Sequence, residues 1–183
     1  MLTNELVNQT VETISAYYQQ YSLLLIHPEL QARTRVISAL LDAPPCQLFY
    51  YSPRDGVVGP VPFLVELTKQ LAEQGRPVAR QVHKTLMKLP NPSARLKAAL
   101  FTVFQTLHHR DYLLIFDEYD RLDHALDVQR LLGDLLLSLP PQSHLLISSR
   151  TLPPFPWVDL IARQRAAVVY GNELRSGNSG PIS

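Results

Sequence analysis

The sequence predicts an α/β domain with a doubly wound, five-stranded parallel sheet and helices on both faces. Two observations lead to this prediction. Short apolar runs of strand length alternate along the chain with longer amphipathic segments of helical period, as in proteins built from strand–helix–strand units. The apolar runs are hydrophobic at consecutive positions, which is expected of parallel strands because right-handed crossovers place helices on both faces of the sheet.

The individual elements follow from these runs and from the residues between them. The predicted strands are 21–26, 47–51, 112–116, 145–147 and 166–170. The predicted helices are 4–18, 29–41, 63–74, 77–87, 93–109, 127–139 and 157–163. Gly75 is predicted to end the third helix, because glycine tolerates the left-handed conformation found there. One domain is predicted for residues 1–175, followed by a disordered tail, 176–183, rich in glycine and serine.

Composition and charge narrow the classes of function. The 183 residues are 46% hydrophobic and 18% charged, as in an average globular protein. With 17 basic and 16 acidic residues the net charge is +1, so direct nucleic-acid binding by this segment is not expected. Cys46 is the single cysteine, which excludes an internal disulfide and favours a cytoplasmic location. No export signal or apolar stretch of membrane-spanning length is visible, so no membrane association is expected.

The segment after the first predicted strand, 27–34, stands where a P-loop protein carries G-x-x-x-x-G-K-[ST]. Glycines are needed there because backbone N–H groups must turn inward around the phosphates, partly at positive φ. This segment has no glycine. Arg33 at the lysine position keeps the charge as a planar fork, and Thr34 keeps a hydroxyl that could reach a metal. The residues favour an ordinary strand-to-helix turn with a solvated Arg33 over a retained ligand site.

The segment 113–118 has four apolar residues followed by two carboxylates, which is the form of a Walker B strand. In a working NTPase, Asp117 would hold Mg²⁺ through water and Glu118 would polarise the attacking water. Asp120 and Asp123 add two carboxylates, so an acidic metal site is one interpretation. The favoured interpretation is a structural or vestigial role, because acidic residues after a strand also cap the next helix or lie in solvent.

The third strand end of interest follows strand 145–147, where two serines precede Arg150. The carboxyl ends of parallel strands share one edge of the sheet, so Arg150 is expected near Asp117. It could contact a γ-phosphate, or it could pair with Asp117 or Glu118 and hold neighbouring strands in register. The loss of the glycine-rich loop favours the pairing.

The most specific stretches of sequence are DYLLIFDEYDRLD at 111–123 and LPPQSHLLISSRTLPPFPWVDLIARQRAAVVYGNELR at 139–175. On the basis of these stretches, residues 21–175 resemble the NTPase domain of the STAND class, particularly that of the maltose-activator-type bacterial transcription regulators. Those relatives show a similar Walker B strand, a proline-containing turn, an apolar strand ending in S-R, a proline-rich segment and a closing L-R. The run is also similar to glycine-poor N-terminal domains beside bacterial transcriptional activator domains in multidomain regulators.

Relatives of the STAND class carry A-P-A-G-F-G-K-T after their first strand, and 27–34 aligns with it without a gap. Only Pro28 and Thr34 are shared, because both glycines and the lysine are replaced. The resemblance therefore implies an inherited site made of Arg33, Thr34 and Arg150, with Asp117 and Glu118, that has lost its phosphate loop.

The resulting expectation is a non-catalytic STAND-like NTPase domain that serves as a regulatory or interaction module in transcriptional control, with no cofactor or metal. Its partners would be other domains of a larger regulator or a separate protein. One alternative is an active ATP-binding and hydrolysing switch that uses Asp117 and Glu118 with Mg²⁺, and Arg33 and Arg150 on the phosphates. Another is a ligand-free scaffold that contacts a partner through 153–157, although Trp157 is better interpreted as closing the domain.

Overall fold

The fold is described from a computed structural model that covers residues 2–76, 78–88, 92–107, 111–140 and 142–175; the predicted tail 176–183 lies outside these residues. The helices are α1 Leu2–Tyr17, α2 Arg33–Asp42, α3 Pro60–Glu73, α4 Ala79–Lys88, α5 Pro92–Leu107, α6 Leu126–Leu136 and α7 Trp157–Ala162. The strands are β1 Leu23–Ile26, β2 Gln47–Tyr51, β3 Tyr112–Phe116, β4 Leu145–Ser148, β5 Ala166–Tyr170 and β6 Glu173–Arg175. Short 3₁₀ turns cover Tyr18–Gln20 and Tyr119–Leu122.

The strands form one sheet in the order β2-β3-β4-β1-β5-β6, and all neighbours are parallel except β5 and β6. The predicted α/β class is confirmed, but the prediction of five strands is wrong. The sixth strand pairs with β5 as a hairpin through the two-residue turn Gly171-Asn172, with φ of 61° at Gly171. Glycine followed by asparagine between two strands is a hairpin signal, and it was outweighed by the shortness and polarity of β6.

Helices cover both faces of the sheet, and consecutive residues of each central strand face opposite cores. In β1, Leu23 and Leu25 pack into the core under α3, α5 and α6, whereas Leu24 and Ile26 pack under α1 and α2. All four side chains are at most 1% exposed. Burial on both sides explains why these strands are continuous apolar runs, since a strand with one wet face alternates apolar and polar residues.

The outer edge of β2 is closed by two glutamines, one in the last turn of α3 and one directly after it. The amide of Gln74 bonds to both the N–H and the carbonyl of Tyr50, at 2.7 and 2.6 Å. The amide of Gln70, one turn earlier, bonds in the same way to Ser52, at 3.2 and 2.9 Å. Two glutamines at i, i+4 spacing thus occupy the hydrogen-bonding groups that another strand would use, which protects the edge from unwanted pairing.

The ends of the helices differ from the predicted ones where loop contacts intervene. Gly75 follows α3 with φ of 80°, as predicted for a helix end. Helix α2 begins at Arg33 and not at residue 29, because the intervening residues form two turns. Helix α6 ends at Leu136, and the Arg165 guanidinium donates to the carbonyls of Leu137 and Leu139 just beyond it. Among the described helices, none combines the length and apolarity needed to cross a bilayer.

Candidate functional site

The loop after β1, residues 27–32, uses its own backbone amides. The N–H of Leu30 donates to the His27 carbonyl at 2.9 Å, and the N–H of Arg33 donates to the Leu30 carbonyl at 3.2 Å. The N–H of Glu29 donates to Nδ1 of His27 at 3.2 Å. These donors would have to face a phosphate in a P-loop, and here each is engaged within the loop itself.

The backbone conformation of this loop also differs from that of a phosphate-binding nest. A nest alternates right-handed and left-handed residues so that successive N–H groups converge on an anion. Among the residues that the structure describes, only Glu118 and Gln164 combine a side chain with a positive φ, so the glycine-free loop 27–32 has none. Leu30 and Ala32 are 1% and 5% exposed, and they pack into the core beneath α1 and α2. The loop is therefore a packed strand-to-helix turn.

Arg33 closes the same loop from the outside. Its Nη1 donates to the carbonyl of Pro28 and, at 3.1 Å, to that of Leu30. The expectation of a solvated Arg33 is wrong, because the side chain is partly buried and satisfies two carbonyls of its own loop. Thr34 is exposed on the first turn of α2. The guanidinium at the position that the sequence aligned with a P-loop lysine thus holds this loop closed.

Asp117 lies at the end of β3 and is 9% exposed. Its Oδ2 accepts from the hydroxyl of Tyr50 at 3.1 Å, and its Oδ1 accepts from the N–H of Glu118 at 2.9 Å. Burial, together with the charge and the hydrogen bond of Asp117, raises the pKa of Tyr50 to about 12. Tyr50 therefore stays protonated and donates to the carboxylate throughout the physiological range.

Glu118 turns toward β2, on the opposite side of β3 from β4. Its backbone is left-handed, with φ of 50°, and Oε2 accepts from Ser52 Oγ at 3.1 Å. The same oxygen pairs with Arg121 Nη2 at 2.9 Å. Arg121 also donates to the Pro53 carbonyl at 3.3 Å. The i, i+3 spacing of Glu118 and Arg121 is a sequence signal that could have revealed this pair.

Arg150, at the end of β4, pairs with Asp120 and not with Asp117 or Glu118 as predicted. Its backbone N–H and Nε donate to the two carboxylate oxygens of Asp120 at 2.9 and 2.8 Å, and Nη2 lies 2.7 Å from Oδ2. The reason for the difference is the 3₁₀ turn Tyr119–Leu122, which directs Glu118 toward β2 and Asp120 toward β4. Consecutive acidic residues therefore serve opposite neighbours of β3.

The side chain of Asp120 is 7% exposed, so its carboxylate is shielded from solvent. The side chain of Arg150 is 73% exposed. Burial alone would raise the pKa of Asp120, but the hydrogen bonds and charge of Arg150 outweigh burial and hold this pKa below its usual value. The pair stays ionised at neutral pH and joins the segments that follow β3 and β4.

Asp123 completes the set of four carboxylates. Its Oδ2 accepts from Thr151 Oγ1 at 2.9 Å, one residue beyond Arg150. Asp117, Glu118, Asp120 and Asp123 therefore have separate partners and do not converge. Within the described part of the chain, no three histidine, cysteine, aspartate or glutamate side chains are placed to hold a metal ion. This geometry does not support the interpretation of an acidic metal site.

The loop after β1 does not fit the Mg²⁺–ATP complex that an active P-loop NTPase would bind. Phosphates need inward-facing amides and room for the backbone to approach them. In this chain the amides of Glu29, Leu30 and Arg33 are bonded within the loop, and the side chain of Leu30 is packed in the core. The phosphates of a nucleotide could bind at this loop only if these amides turned outward and Leu30 left the core.

The segment 153–157 packs inward and closes the larger core. Phe155 is 6% exposed, and its ring lies 5.6 Å from that of Tyr119 in an edge-on arrangement. Trp157 is partly buried against the same core, and its indole N–H donates to the Pro153 carbonyl at 2.7 Å. Because the two aromatic rings contribute to the core, they are not free to form the main part of a partner surface.

Comparison with known proteins assigns no relationship to this site. No protein-family model matches the sequence, and no curated protein matches it either.

Proposed function

We propose that this chain is a non-catalytic STAND NTPase-like domain that serves as a regulatory or interaction module of a bacterial transcription regulator. The proposal includes a doubly wound, P-loop-like fold for the sheet and an origin of the chain from such NTPases. The observation that carries it is the loop after β1, which bonds to itself and is braced by Arg33. Such a module acts through contacts with other domains or with a protein partner, in the cytoplasm, without turnover of a nucleotide.

The carboxylates after β3 support the same proposal. A hydrolase needs a carboxylate free to hold a metal and a second one free to orient water. In this chain Asp117 accepts from Tyr50, and Glu118 is paired with Arg121. The residues that an NTPase would use for chemistry are engaged here in joining strand ends.

The active-switch alternative would require several simultaneous changes. Arg33 would have to leave the carbonyls of Pro28 and Leu30, and the amides of the loop would have to turn toward the ligand. Some residues of 29–32 would also have to adopt positive φ without glycine, which is costly for residues with a Cβ. These costs weigh against nucleotide binding at this loop.

The test is a titration of the purified chain with ATP and ADP, with and without Mg²⁺, followed by thermal unfolding. A ligand at about 100 times its dissociation constant adds roughly 2.7 kcal/mol to stability. We expect no stabilisation at millimolar nucleotide. A Mg²⁺-dependent stabilisation that disappears in Asp117→Ala would contradict the proposal and restore the active switch.

A variant with the relatives' loop provides the positive control. The substitutions are His27→Ala, Glu29→Ala, Leu30→Gly, Gln31→Phe, Ala32→Gly and Arg33→Lys. If the chain descends from a STAND NTPase, the folded graft gains nucleotide-dependent stabilisation that the native chain lacks. A folded graft without any gain would count against that descent, while leaving the interaction role of the native chain open to its own test.

A further inference from the structure

Strand β2 forms one edge of the sheet, and its own sequence gives that edge no protection. Its residues, QLFYY, include three aromatic side chains and neither a charged residue nor a proline. Aromatic residues favour strand pairing, and an uncharged edge strand is a template for a strand of another chain. Native sheets usually protect such an edge with charges or prolines on the strand itself. The protection of β2 therefore has to come from elsewhere in the fold.

Every second residue of β2 points its backbone N–H and carbonyl away from the sheet. The carbonyl of Tyr51 accepts from the N–H of Asp117 at 2.9 Å, so the backbone of Tyr51 faces β3. In a parallel ladder, residues that bond to one neighbouring strand alternate with residues that face the other side. The residues that face the outer edge are Leu48, Tyr50 and Ser52. A strand that joined this edge would bond to their backbone groups.

The side-chain amides of Gln70 and Gln74 stand where the peptide groups of a neighbouring strand would be. Like a peptide group, each amide offers a donor and an acceptor. Gln74 bonds to the N–H and the carbonyl of Tyr50, and Gln70 bonds in the same way to Ser52. The spacings match, because four residues of helix rise about 6.0 Å and two residues of strand about 6.6 Å. The two glutamines thus act as a substitute strand for two of the three outward-facing residues.

Open space borders the two glutamines on the outside of the edge. A cavity of about 550 Å³ is lined by both of them and by Tyr50. The charged residues that line it are Arg54, Glu73 and Arg121, and both arginines already pair with carboxylates of the chain. Charges of both signs do not repel a second copy as an edge charged with one sign would. A strand could therefore approach this edge if the glutamine amides were removed.

We infer that Gln70 and Gln74 keep the chain from pairing with a second copy of itself through β2, and that removing both amides turns this edge into a homodimer interface. Two copies related by a two-fold axis would place Tyr50 opposite Tyr50 and Leu48 opposite Ser52 in an antiparallel pair. A second copy is the partner because its own β2 presents the same unprotected aromatic strand. The inference does not depend on the proposed function, because β3 and β4 lie between this edge and β1.

The test compares forms of the full chain by sedimentation velocity from micromolar to millimolar concentration. The edge variant is Gln70→Ala/Gln74→Ala, and the control is Gln31→Ala/Gln81→Ala, at two exposed glutamines outside this edge. We expect the edge variant to dimerise at a concentration about tenfold lower than the native chain, and the control to behave as the native chain. Circular dichroism checks that each form is folded. A folded edge variant that dimerises no more readily than the control overturns the inference.

Hydrogen exchange of single amides locates the dimer contact. At dilution, the N–H groups of Tyr50 and Ser52 should exchange about tenfold faster in the edge variant than in the native chain, because their acceptors are gone. At concentrations where the variant dimerises, the same two amides should become protected again by acceptors on the second copy. Association without renewed protection of these amides places the contact elsewhere and overturns the inference.

Single substitutions of Gln74 keep the test decisive if the double variant does not fold. Gln74→Ala removes the donor and the acceptor at Tyr50 and should dimerise at a concentration about threefold lower than the native chain. Gln74→Glu keeps an acceptor for the Tyr50 N–H and adds a charge that two copies would bring together, so it should dimerise no more readily than the native chain. Equal dimerisation of the two variants overturns the inference. Because no nucleotide is present, either outcome leaves the nucleotide test untouched.

Discussion

The loop after β1 and the loops after β3 and β4 share one edge of the sheet, and each uses an arginine in a different way. Arg33 bonds to carbonyls three and five residues away in its own loop. Arg150 bonds to Asp120, thirty residues away in sequence and on the neighbouring strand end. The first contact closes a loop, and the second joins two elements.

This difference shows that the chemistry of a position does not fix its function. Both arginines occupy places where the sequence predicted a possible phosphate contact, and both donate instead to acceptors within the protein. Arg33 serves neutral carbonyls, so its contribution is nearly independent of pH. Arg150 serves a carboxylate, so its contribution depends on the ionisation of Asp120.

The largest expected effect is that of Leu30→Ala in the first loop. Leu30 is 1% exposed in the core beneath α1 and α2, so its truncation should lower the free energy of unfolding by about 2–4 kcal/mol. Chemical denaturation measures the change. Gln31→Ala, at the exposed neighbour, should stay within about 0.5 kcal/mol of the native chain. A similar small change for Leu30→Ala would mean that the loop is not packed.

The next largest effect is expected from breaking the contact between Asp120 and Arg150, which joins the loops after β3 and β4. Asp120→Ala removes the acceptor of three contacts from Arg150, and we expect a loss of about 1–2 kcal/mol, reduced by the exposure of the arginine. Asp127→Ala is the control, because its pair with Arg130 is exposed on both sides and should matter by less than about 0.5 kcal/mol. Equal losses in both variants would show that Asp120 does not join the strand ends.

Acidification should distinguish the two loops. The pKa of Asp120 is lowered in the folded chain, so its stabilisation is fully present above the unfolded value of about 3.9 and is lost as pH falls through the lowered value. The stability difference between the native chain and Asp120→Asn should therefore be constant from neutral pH to about pH 5 and shrink below about pH 4. A difference that grows on acidification would contradict the sign of this pKa shift.

The smallest effect should be that of Arg33→Ala. The carbonyls of Pro28 and Leu30 lose a donor but can bind water in part, so we expect a loss of about 0.5–1 kcal/mol. Urea unfolding measures both Arg33→Ala, which removes the donor, and Arg33→Lys, which replaces the guanidinium by a single ammonium group. A gain in stability for Arg33→Ala would mean that the brace is strained.

Most of the fold could be predicted from sequence because its strands are buried on both faces. Strand β3 has the predicted bounds, since five consecutive apolar residues end at a carboxylate. Strand β6 was missed because three residues with one apolar side chain give no period, and it forms only by pairing with β5. The pattern of apolar residues was sufficient to predict the strands that are buried in the core on both faces.

The site was less predictable, because its contacts depend on turns between elements. The edge shared by Asp117 and Arg150 follows from parallel strands, but the partner of Arg150 depends on the 3₁₀ turn Tyr119–Leu122. The internal bonds of Arg33 likewise depend on the two turns that delay α2. Nothing in residue spacing alone distinguishes a guanidinium that faces solvent from one that folds back onto its own loop.

The most direct measurement of the closed first loop is by NMR, following the amide signals of Glu29, Leu30 and Arg33 while Mg²⁺–ATP is added to the native chain. These three amides are the donors that a phosphate would need, and all are bonded within or next to the loop. We predict that their chemical shifts stay constant to millimolar nucleotide. Saturable shifts centred on these amides would contradict a self-bonded loop and would identify the chain as a nucleotide-binding switch.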